Sequence, residues 1–375
     1  MVAAQVPQAG AAEPGVLRRC YEEQRQARGF AADAAQLAAL ARLEELRTRL
    51  CTAGPARHWL GKLLRRRQQP RVRGLYLWGG VGRGKTWLMD LFCDSLPQGY
   101  GRRLHFHRFM HEVHAELRTL RDARAPLEQV AERIRGGLRV LCLDELFVAD
   151  IADAMILGGL FSSLLAGGVT LVATSNVPPR ELYKDGLQRT RFEPAIALLE
   201  QHLEIVQVAG PTDYRLRHLT QAGTYVSAAA PGAQAQLGTL FAELGGAHAQ
   251  QGGVIEIEAR SIPVVRLAHG AVWFEFQSLC ASARSQEDYI ELAREFHSVF
   301  LSNVPLLAAE QDNEARRLVA LVDELYDHNV KLVVSAAAPP AQLYRGQRLR
   351  EAFARTASRL IEMQSAEYLA REHRP

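Results

Sequence analysis

A chain of 375 residues, 48% hydrophobic and 23% charged, can bury more than one core and has the composition of a soluble globular protein. Its net charge of +4 is too small to imply nucleic acid by itself, and its five cysteines lack the C-x-x-C spacing of a zinc site or a disulfide framework. The opening "MVAAQVPQAGAAEPG" has no basic start followed by an apolar core, and no run of about 18 apolar residues occurs, so a cytoplasmic protein without signal peptide or membrane span is expected.

Residues 1–70 read as an N-terminal tail and a helical segment. The tail runs to about residue 15, and the reading from 16 to 70 is helical. Asp33 is placed to cap "AAQLAALARLEELRTRL", where Leu37, Leu40, Leu43 and Leu46 keep one face apolar. The basic run from Lys62 to Arg73 is either a solvated linker or a contact for an acidic partner or lipid, which leaves peripheral membrane contact open. Residues 71–220 alternate strand and helix, with "GLYLW", "RLHFHRF", "LRVLCLD", "GVTLVATS" and "LEIVQV" as strands. That alternation implies an α/β fold, a mostly parallel sheet with helices on both faces. Residues 221–253 read as an Ala/Gly-rich connector, partly helical. Residues 254–375 read as a C-terminal α/β extension ending in a lid helix from about residue 349.

The first strand carries the most specific signal. In "GLYLWGGVGRGKTWLMDLF", Gly79, Gly84, Lys85 and Thr86 satisfy the P-loop pattern G-x-x-x-x-G-K-[ST]. The apolar run before it, the helical spacing of Leu88, Leu91 and Phe92 after it, and the stop at Pro97 supply the strand–loop–helix context that the motif needs. Gly79, Gly80, Gly82 and Gly84 permit backbone angles that turn successive N–H groups toward one anion. Val81, Arg83 and Trp87 complete the stretch expected around a nucleotide, and the helix N-terminus adds partial positive charge. Lys85 is expected on the β- and γ-phosphates of ATP, and Thr86 on a magnesium ion.

A cradle alone binds; it does not hydrolyse. The run "RVLCLDEL" leads four apolar residues into Asp144-Glu145 at a strand's carboxyl end, where ligands sit in α/β sheets. Asp144 is expected to hold magnesium and Glu145 to polarise the attacking water as general base. The next strand exits at Ser175-Asn176, and Asn176 is expected to orient that water or touch the γ-phosphate. Arg189 and Arg191, in "GLQRTRFEPAIALL", precede a proline-opened helix. One of them reaching a neighbouring subunit's γ-phosphate would contribute about 10³–10⁵ in rate and make the protein a homo-oligomer. Arg355 and Arg359 share a helical face and are read as either lid contacts to the nucleotide or a solvated face.

Two weaker signals remain on this first region. His105 and His107 share a strand face and His111 and His114 a helical one, the raw material of a metal site only if three or four converge. Phe109-Met110 is read as either a polypeptide grip or plain core packing. The chain also echoes itself. "GGVTLVATSNVPPRELY" (167–183) returns as "HNVKLVVSAAAPPAQLY" (328–344), and "FHRFM" more loosely as "FQSLC". Half-duplication without a second phosphate loop and chance similarity both stay open.

In this order the two Walker elements, the asparagine-ended strand and the arginine pair resemble an AAA+ ATPase. The wording of "YLWGGVGRGKTWLMDLF", "FHRFMHEVH", "LCLDELFVADIADAMIL", "VATSNVPPRELYKDGLQRTRF", "DYR", "VDELYD" and "RTASRLIEMQSAEYL" resembles the ZapE/AFG-one-like family from about residue 70 to the end. The resemblance implies a bacterial cytosolic ATPase linked to division and acting on a protein partner, the FtsZ ring. For mitochondrial relatives it implies a role in turnover of membrane-complex subunits. It carries the phosphate loop, the acid pair and the arginines onto Gly79–Thr86, Asp144-Glu145 and Arg189/Arg191. Ala336-Ala337 departs from the family's more polar strand exit and leaves the role of the second region open.

A P-loop by itself also allows a nucleic-acid-associated ATPase of helicase-loader type, or a small-molecule kinase or GTPase. No basic groove interleaved with aromatics is visible for single strands, so nucleic acid is not the expected partner. No N-K-x-D guanine signature occurs, and Asp-Glu with trailing arginines does not suit a metabolite kinase.

Overall fold

The computed structural model describes residues 14–27, 32–52, 72–80, 82–120, 124–148, 150–209, 219–220, 222–245, 249–257, 260–268 and 270–374. Most of the expected tail, residues 62–71 of the basic run, Val81 and the "DYR" stretch lie outside the described residues. The chain divides into two compact units, Met1–Thr212 and Asp213–Pro375.

The first unit runs α1 (Val16–Ala27), α2 (Ala34–Thr52), β1 (Gly74–Trp78), α3 (Lys85–Asp94), β2 (Gly101–His105), α4 (Phe106–Thr119), α5 (Pro126–Arg135), β3 (Val140–Asp144), α6 (Ile151–Ala166), β4 (Thr170–Ser175), α7 (Glu193–His202) and β5 (Leu203–Gln207). The five strands form one parallel sheet in the order β2-β3-β4-β1-β5. Successive strand residues point to opposite faces, so each apolar run feeds two cores. Leu75, Leu77, Cys142 and Val172 pack with α1, α2 and α3 on one side. Tyr76, Leu141, Leu143, Leu171 and Ala173 pack with α4 to α7 on the other. This is the expected α/β P-loop architecture, with helices on both faces. Asp33 caps α2 as expected, its Oδ1 accepting from the N–H groups of Ala35 (2.8 Å) and Gln36 (3.2 Å).

The expected strand "RLHFHRF" is corrected. β2 is an edge strand that ends at His105, level with Asp144 at the end of its single neighbour β3. From Phe106 the chain turns helical, burying Phe106, Phe109, Met110 and Val113 at helical spacing. His107 is therefore on α4, not on a strand face with His105. Phe109 and Met110 are core residues, 1% and 2% exposed, which removes the reading of a polypeptide grip.

The second unit runs β6 (Tyr225–Ser227), α8 (Ala233–Gly245), β7 (Gln250–Gln251), β8 (Val254–Ile257), β9 (Arg260–Pro263), β10 (Arg266–Ala268), β11 (Ala271–Glu275), α9 (Gln286–Glu295), β12 (Ser298–Val304), α10 (Asp312–Asp327), β13 (Lys331–Ala336), α11 (Arg350–Glu362) and α12 (Ala366–Leu369). A six-stranded sheet has the order β6-β13-β12-β11-β10-β7, and β8 and β9 form a separate hairpin. β6, β13, β12 and β11 are parallel, whereas β10 and β7 are antiparallel. The Ala/Gly-rich segment 221–253 thus holds β6, α8 and β7, and Leu237, Leu240 and Phe241 of α8 enter this unit's core with Trp273, Phe300 and Val333. The single C-terminal helix expected from about residue 349 is two helices: α11 stops at Glu362, and Ser365 caps α12 by accepting from the Tyr368 N–H at 3.1 Å.

Candidate active site

The loop after β1 enters the first turn of α3 without any side-chain cap: the N-cap is Gly84 at φ 81. Being a glycine, this cap residue has no side chain to offer the leading N–H groups of α3, the arrangement that suits an incoming anion. Two glycines are required here, Gly79 by its contact with backbone and Gly84 by its left-handed φ. A Cβ on Gly79 (φ +150) would meet the Val208 carbonyl oxygen at 2.4 Å, and one on Gly84 would meet Gln36 Nε2 at 2.7 Å. Lys85 is buried, and its Nζ donates to the carbonyls of Gly79 (2.6 Å) and Gly80 (2.8 Å) and to Asn176 Oδ1 (3.1 Å). The ammonium is thereby fixed at the loop's mouth, beside the residue that follows the neighbouring strand.

That neighbour is β4, inserted between β1 and β3, so three carboxyl strand ends converge. Thr86 Oγ1 lies 3.4 Å from Asp144 Oδ1, a hydroxyl and a carboxylate of the oxygen class that magnesium takes. The loop with its uncapped helix end fits a triphosphate, and the Thr86–Asp144 pair fits the metal. Thr174 organises the acids: its hydroxyl donates to Asp144 Oδ1 and accepts from the Glu145 N–H at 2.9 Å. Leu146 N–H donates to the Thr174 carbonyl at 2.7 Å, and Ser175 Oγ donates to the Leu146 carbonyl at 2.8 Å. Glu145 is held at φ 52, in the left-handed region, where a residue with a Cβ costs about 1 kcal/mol or more.

Asp144 is 1% exposed. Burial pushes its carboxyl up, but the Arg103 guanidinium, His105 and the Thr174 hydroxyl outweigh Glu145 and the burial, and hold it below the usual carboxylate range. Arg103 is 2.7 Å from Asp144 Oδ2 and also pairs with Asp90 on α3. His105 Nε2 lies 3.8 Å from Glu145 Oε2. A second buried clamp comes from α2. Gln36 Nε2 donates to the Arg83 carbonyl (2.9 Å) and its Oε1 accepts from Tyr21 (3.0 Å). Trp87, expected around the nucleotide, stacks on Tyr21 at 4.8 Å and donates to Gln24 at 2.7 Å.

The arginines are not drawn into this cluster. Arg189 donates to the Arg180 carbonyl (2.6 Å) and lies 3.6 Å from Glu193, while Arg191 is exposed, its Nη1 3.9 Å from Met155 Sδ. In the second unit Arg355 and Arg359 both pair with Asp323, at 3.0 and 2.7 Å, and Arg359 also lies over the Tyr326 ring. The four histidines do not converge. His114 binds Asp153 at 2.7 Å, His105 faces Glu145, and no group of three or more His, Cys, Asp or Glu suited to a metal occurs among the described residues. Sequence reasoning missed Thr174, Arg103 and Gln36. For Thr174 and Arg103 the signal was a polar residue inside a strand run.

The family model described as AFG1-like ATPase matches residues 16–372. The chain belongs to the AFG1-like ATPase family. It is 51% identical over 317 residues to the cell division protein ZapE of Escherichia coli (strain K12), spanning 84% of each chain. It is 35% identical over 342 residues to the lactation elevated protein 1 homolog B of Danio rerio, covering 79% of this chain and 68% of that one. Among solved structures, that of DnaI matches with a TM-score of 0.35 at 17% identity, over 48% of this chain and 85% of that one.

The Arg103–Asp144 pair yields a prediction with a defined sign. Removing one partner of a buried ion pair costs about 3–5 kcal/mol, so Arg103→Met should lose that much stability near neutral pH. In the parent the depressed carboxyl contributes stability that is present above its unfolded value of about 3.9 and lost as pH falls through the folded one. In the variant the burial is less opposed, so the carboxyl takes up its proton at higher pH and the deficit should narrow on acidification. Urea midpoints compared from about pH 7 down to about pH 3, across the unfolded carboxyl value, check this; a deficit independent of pH over that range counts against the assignment.

Proposed function

We propose that the first unit binds ATP with magnesium and hydrolyses it to ADP and phosphate, and that the chain uses this turnover to remodel a protein partner. The observation that carries the reading is the convergence of Lys85, Thr86, Asp144, Glu145 and Asn176 at three adjacent strand ends. The N–H groups of the Gly79–Gly84 loop and of the uncapped α3 start take the phosphate oxygens, and Lys85 exchanges its carbonyl partners for the β- and γ-phosphates. Thr86 and Asp144 are the residues that would hold magnesium, which when bound would neutralise charge on the phosphates. Glu145, set one residue beyond the metal-binding carboxylate, accepts a proton from the attacking water. The water oxygen bonds to the γ-phosphorus while the bond to the leaving β-phosphate oxygen breaks. Asn176, already bound to Lys85, aligns that water or the γ-phosphate.

Arg191 is exposed on the first unit, which suits a guanidinium offered to the site of a neighbouring subunit, and Arg189 beside it is the second candidate. The working form is then a homo-oligomer. The relative named as a cell division protein supports a partner in the division machinery, with the FtsZ ring as the specific proposal, and cytoplasmic action. Among the described residues no helix is long and apolar enough to cross a membrane.

Glu145→Gln should keep ATP binding and lose turnover by about 10²–10⁴, the range of a general base; an unchanged rate removes Glu145 from that role. Turnover per chain should rise with protein concentration in the parent, and Arg191→Ala should cut the assembled rate by about 10³ or more. A rate per chain that is flat over concentration, in a protein that does turn over, speaks against an arginine supplied between subunits.

A further inference from the structure

The second unit repeats the first with a consistency that the sequence echo only hints at. In the first, Tyr76 pairs with Ala173 and the register continues to Trp78↔Ser175. In the second, Tyr225 pairs with Val334 and continues to Ser227↔Ala336. Ala173 and Val334 occupy the same place in the two echoing segments. The remaining strands follow suit: Val140↔Thr170 matches Ser298↔Lys331, and Gly101↔Val140 matches Ala271↔Ser298. The strand order β1-β4-β3-β2 therefore recurs as β6-β13-β12-β11, residue for residue in register.

The loop hydrogen bonds recur at the same places. The Tyr76 hydroxyl donates to the Val177 carbonyl (3.0 Å), and Tyr225 to the Ala338 carbonyl (2.7 Å). The Gly79 N–H donates to the Ser175 carbonyl (3.2 Å), and that of Ala228 to the Ala336 carbonyl (2.8 Å). The Glu145 N–H donates to Thr174 Oγ1 and the Asn303 N–H to Ser335 Oγ, both at 2.9 Å. Glu145 and Asn303 share the left-handed turn, at φ 52 and 61. From each tyrosine the same count of residues leads to the helix anchors, Leu88, Leu91 and Phe92 in one unit and Leu237, Leu240 and Phe241 in the other. Each set packs onto the sheet.

Counting along this framework assigns what stands in each chemical position. Gly79, Gly82 and Gly84 correspond to Ala228, Pro231 and Ala233; Lys85 and Thr86 correspond to Gln234 and Ala235. Pro231 has no N–H to offer an anion and a φ fixed near −65°, where Gly82 takes φ 73. Gln234 is exposed and uncharged. Asp144 and Glu145 correspond to Ser302 and Asn303. Arg103, which holds Asp144, corresponds to Trp273, whose indole N–H donates to Ser302 Oγ at 2.8 Å. Trp273 and Ser302 are almost wholly buried, so an indole–hydroxyl pair fills the place of the ion pair. The place of the metal-binding carboxylate is thus taken by a serine, and the acid at the neighbouring strand end, Glu275 at the place of His105, accepts from Asn303 Nδ2 at 2.8 Å.

We propose that Asp213–Pro375 is a degenerate repeat of the ATPase unit, retaining its strand register and turns but silent toward triphosphate, so that each chain takes up one nucleotide and only on the first unit. The proposal rests on the nucleotide site assigned above. It is tested on the full-length chain by native mass spectrometry or calorimetry with magnesium and a non-hydrolysable ATP analogue at saturation. The parent should bind one analogue per chain, Lys85→Ala none, and Gln234→Ala one, with circular dichroism confirming that each variant folds. Two analogues on the parent, or one retained by folded Lys85→Ala and lost in Gln234→Ala, overturns the silence of the repeat. No analogue on the parent overturns the proposed ATP site itself.

Discussion

A charged carboxylate with almost no access to water governs the mouth of the first sheet. An isolated buried charge is untenable, and one that stays ionised needs a partner and hydrogen bonds to its oxygens. Asp144 has both, from Arg103 on one oxygen and Thr174 on the other. The consequences spread outward. Because the Thr174 hydroxyl donates its proton to Asp144, its oxygen is left as an acceptor, and it takes the N–H of Glu145. The next N–H, of Leu146, goes to the backbone of the same threonine. The turn that carries the acid pair is fastened to β4 at successive points, which is what holds Glu145 at a positive φ.

This fastening explains why β4 has to lie between β1 and β3. A strand in that position touches the phosphate-loop strand with one edge and the acid strand with the other. Its terminal residues then serve both: Thr174 and Ser175 bind the acid turn, and Asn176 binds Lys85. Arg103 adds the third tie, from β2 through Asp144 to Asp90 on α3. The ammonium, hydroxyl and carboxylates are thus positioned by strands and helix ends of one packed sheet, the rigid placement that phosphoryl transfer requires.

What could be read from the chain was what is local in it. The phosphate loop is an eight-residue motif that runs from the end of a strand into the first turn of a helix, and Asp144-Glu145 follows a run of four apolar strand residues; both declare themselves without tertiary knowledge. Thr174, Arg103 and Gln36 do not, because a threonine in a strand acquires its role only when the strand order is known. The error at "RLHFHRF" has a similar origin. Phe106, Phe109, Met110 and Val113 fit a helical period, but over the first few residues an alternating pattern fits as well. The decision falls to the sheet edge, where β2 has one neighbour and that neighbour ends at Asp144. In 221–253, alanine and glycine flatten the contrast between faces, so α8 shows no stripe strong enough to mark its place in a core.

The two units also show which positions a fold holds and which it lets go. Tyr76 and Tyr225 are drawn into their units with a phenol that needs an acceptor, and burial raises the pKa of both, that of Tyr225 to about 12. Replacing either would strand a carbonyl or leave a hole, so the tyrosine and its bond persist. Leucines and phenylalanines anchoring α3 and α8 persist for the same reason, since their partners surround them. Phosphate-loop residues are different. Their glycines, lysine and threonine serve a ligand, and once the ligand is gone alanine, proline and glutamine fit the exposed turn without disturbing the sheet. Framework retained and chemistry lost is the pattern expected of a repeat under selection for packing alone, and it explains why the kinship is plain in register and hydrogen bonds while the sequence shows only two faint echoes.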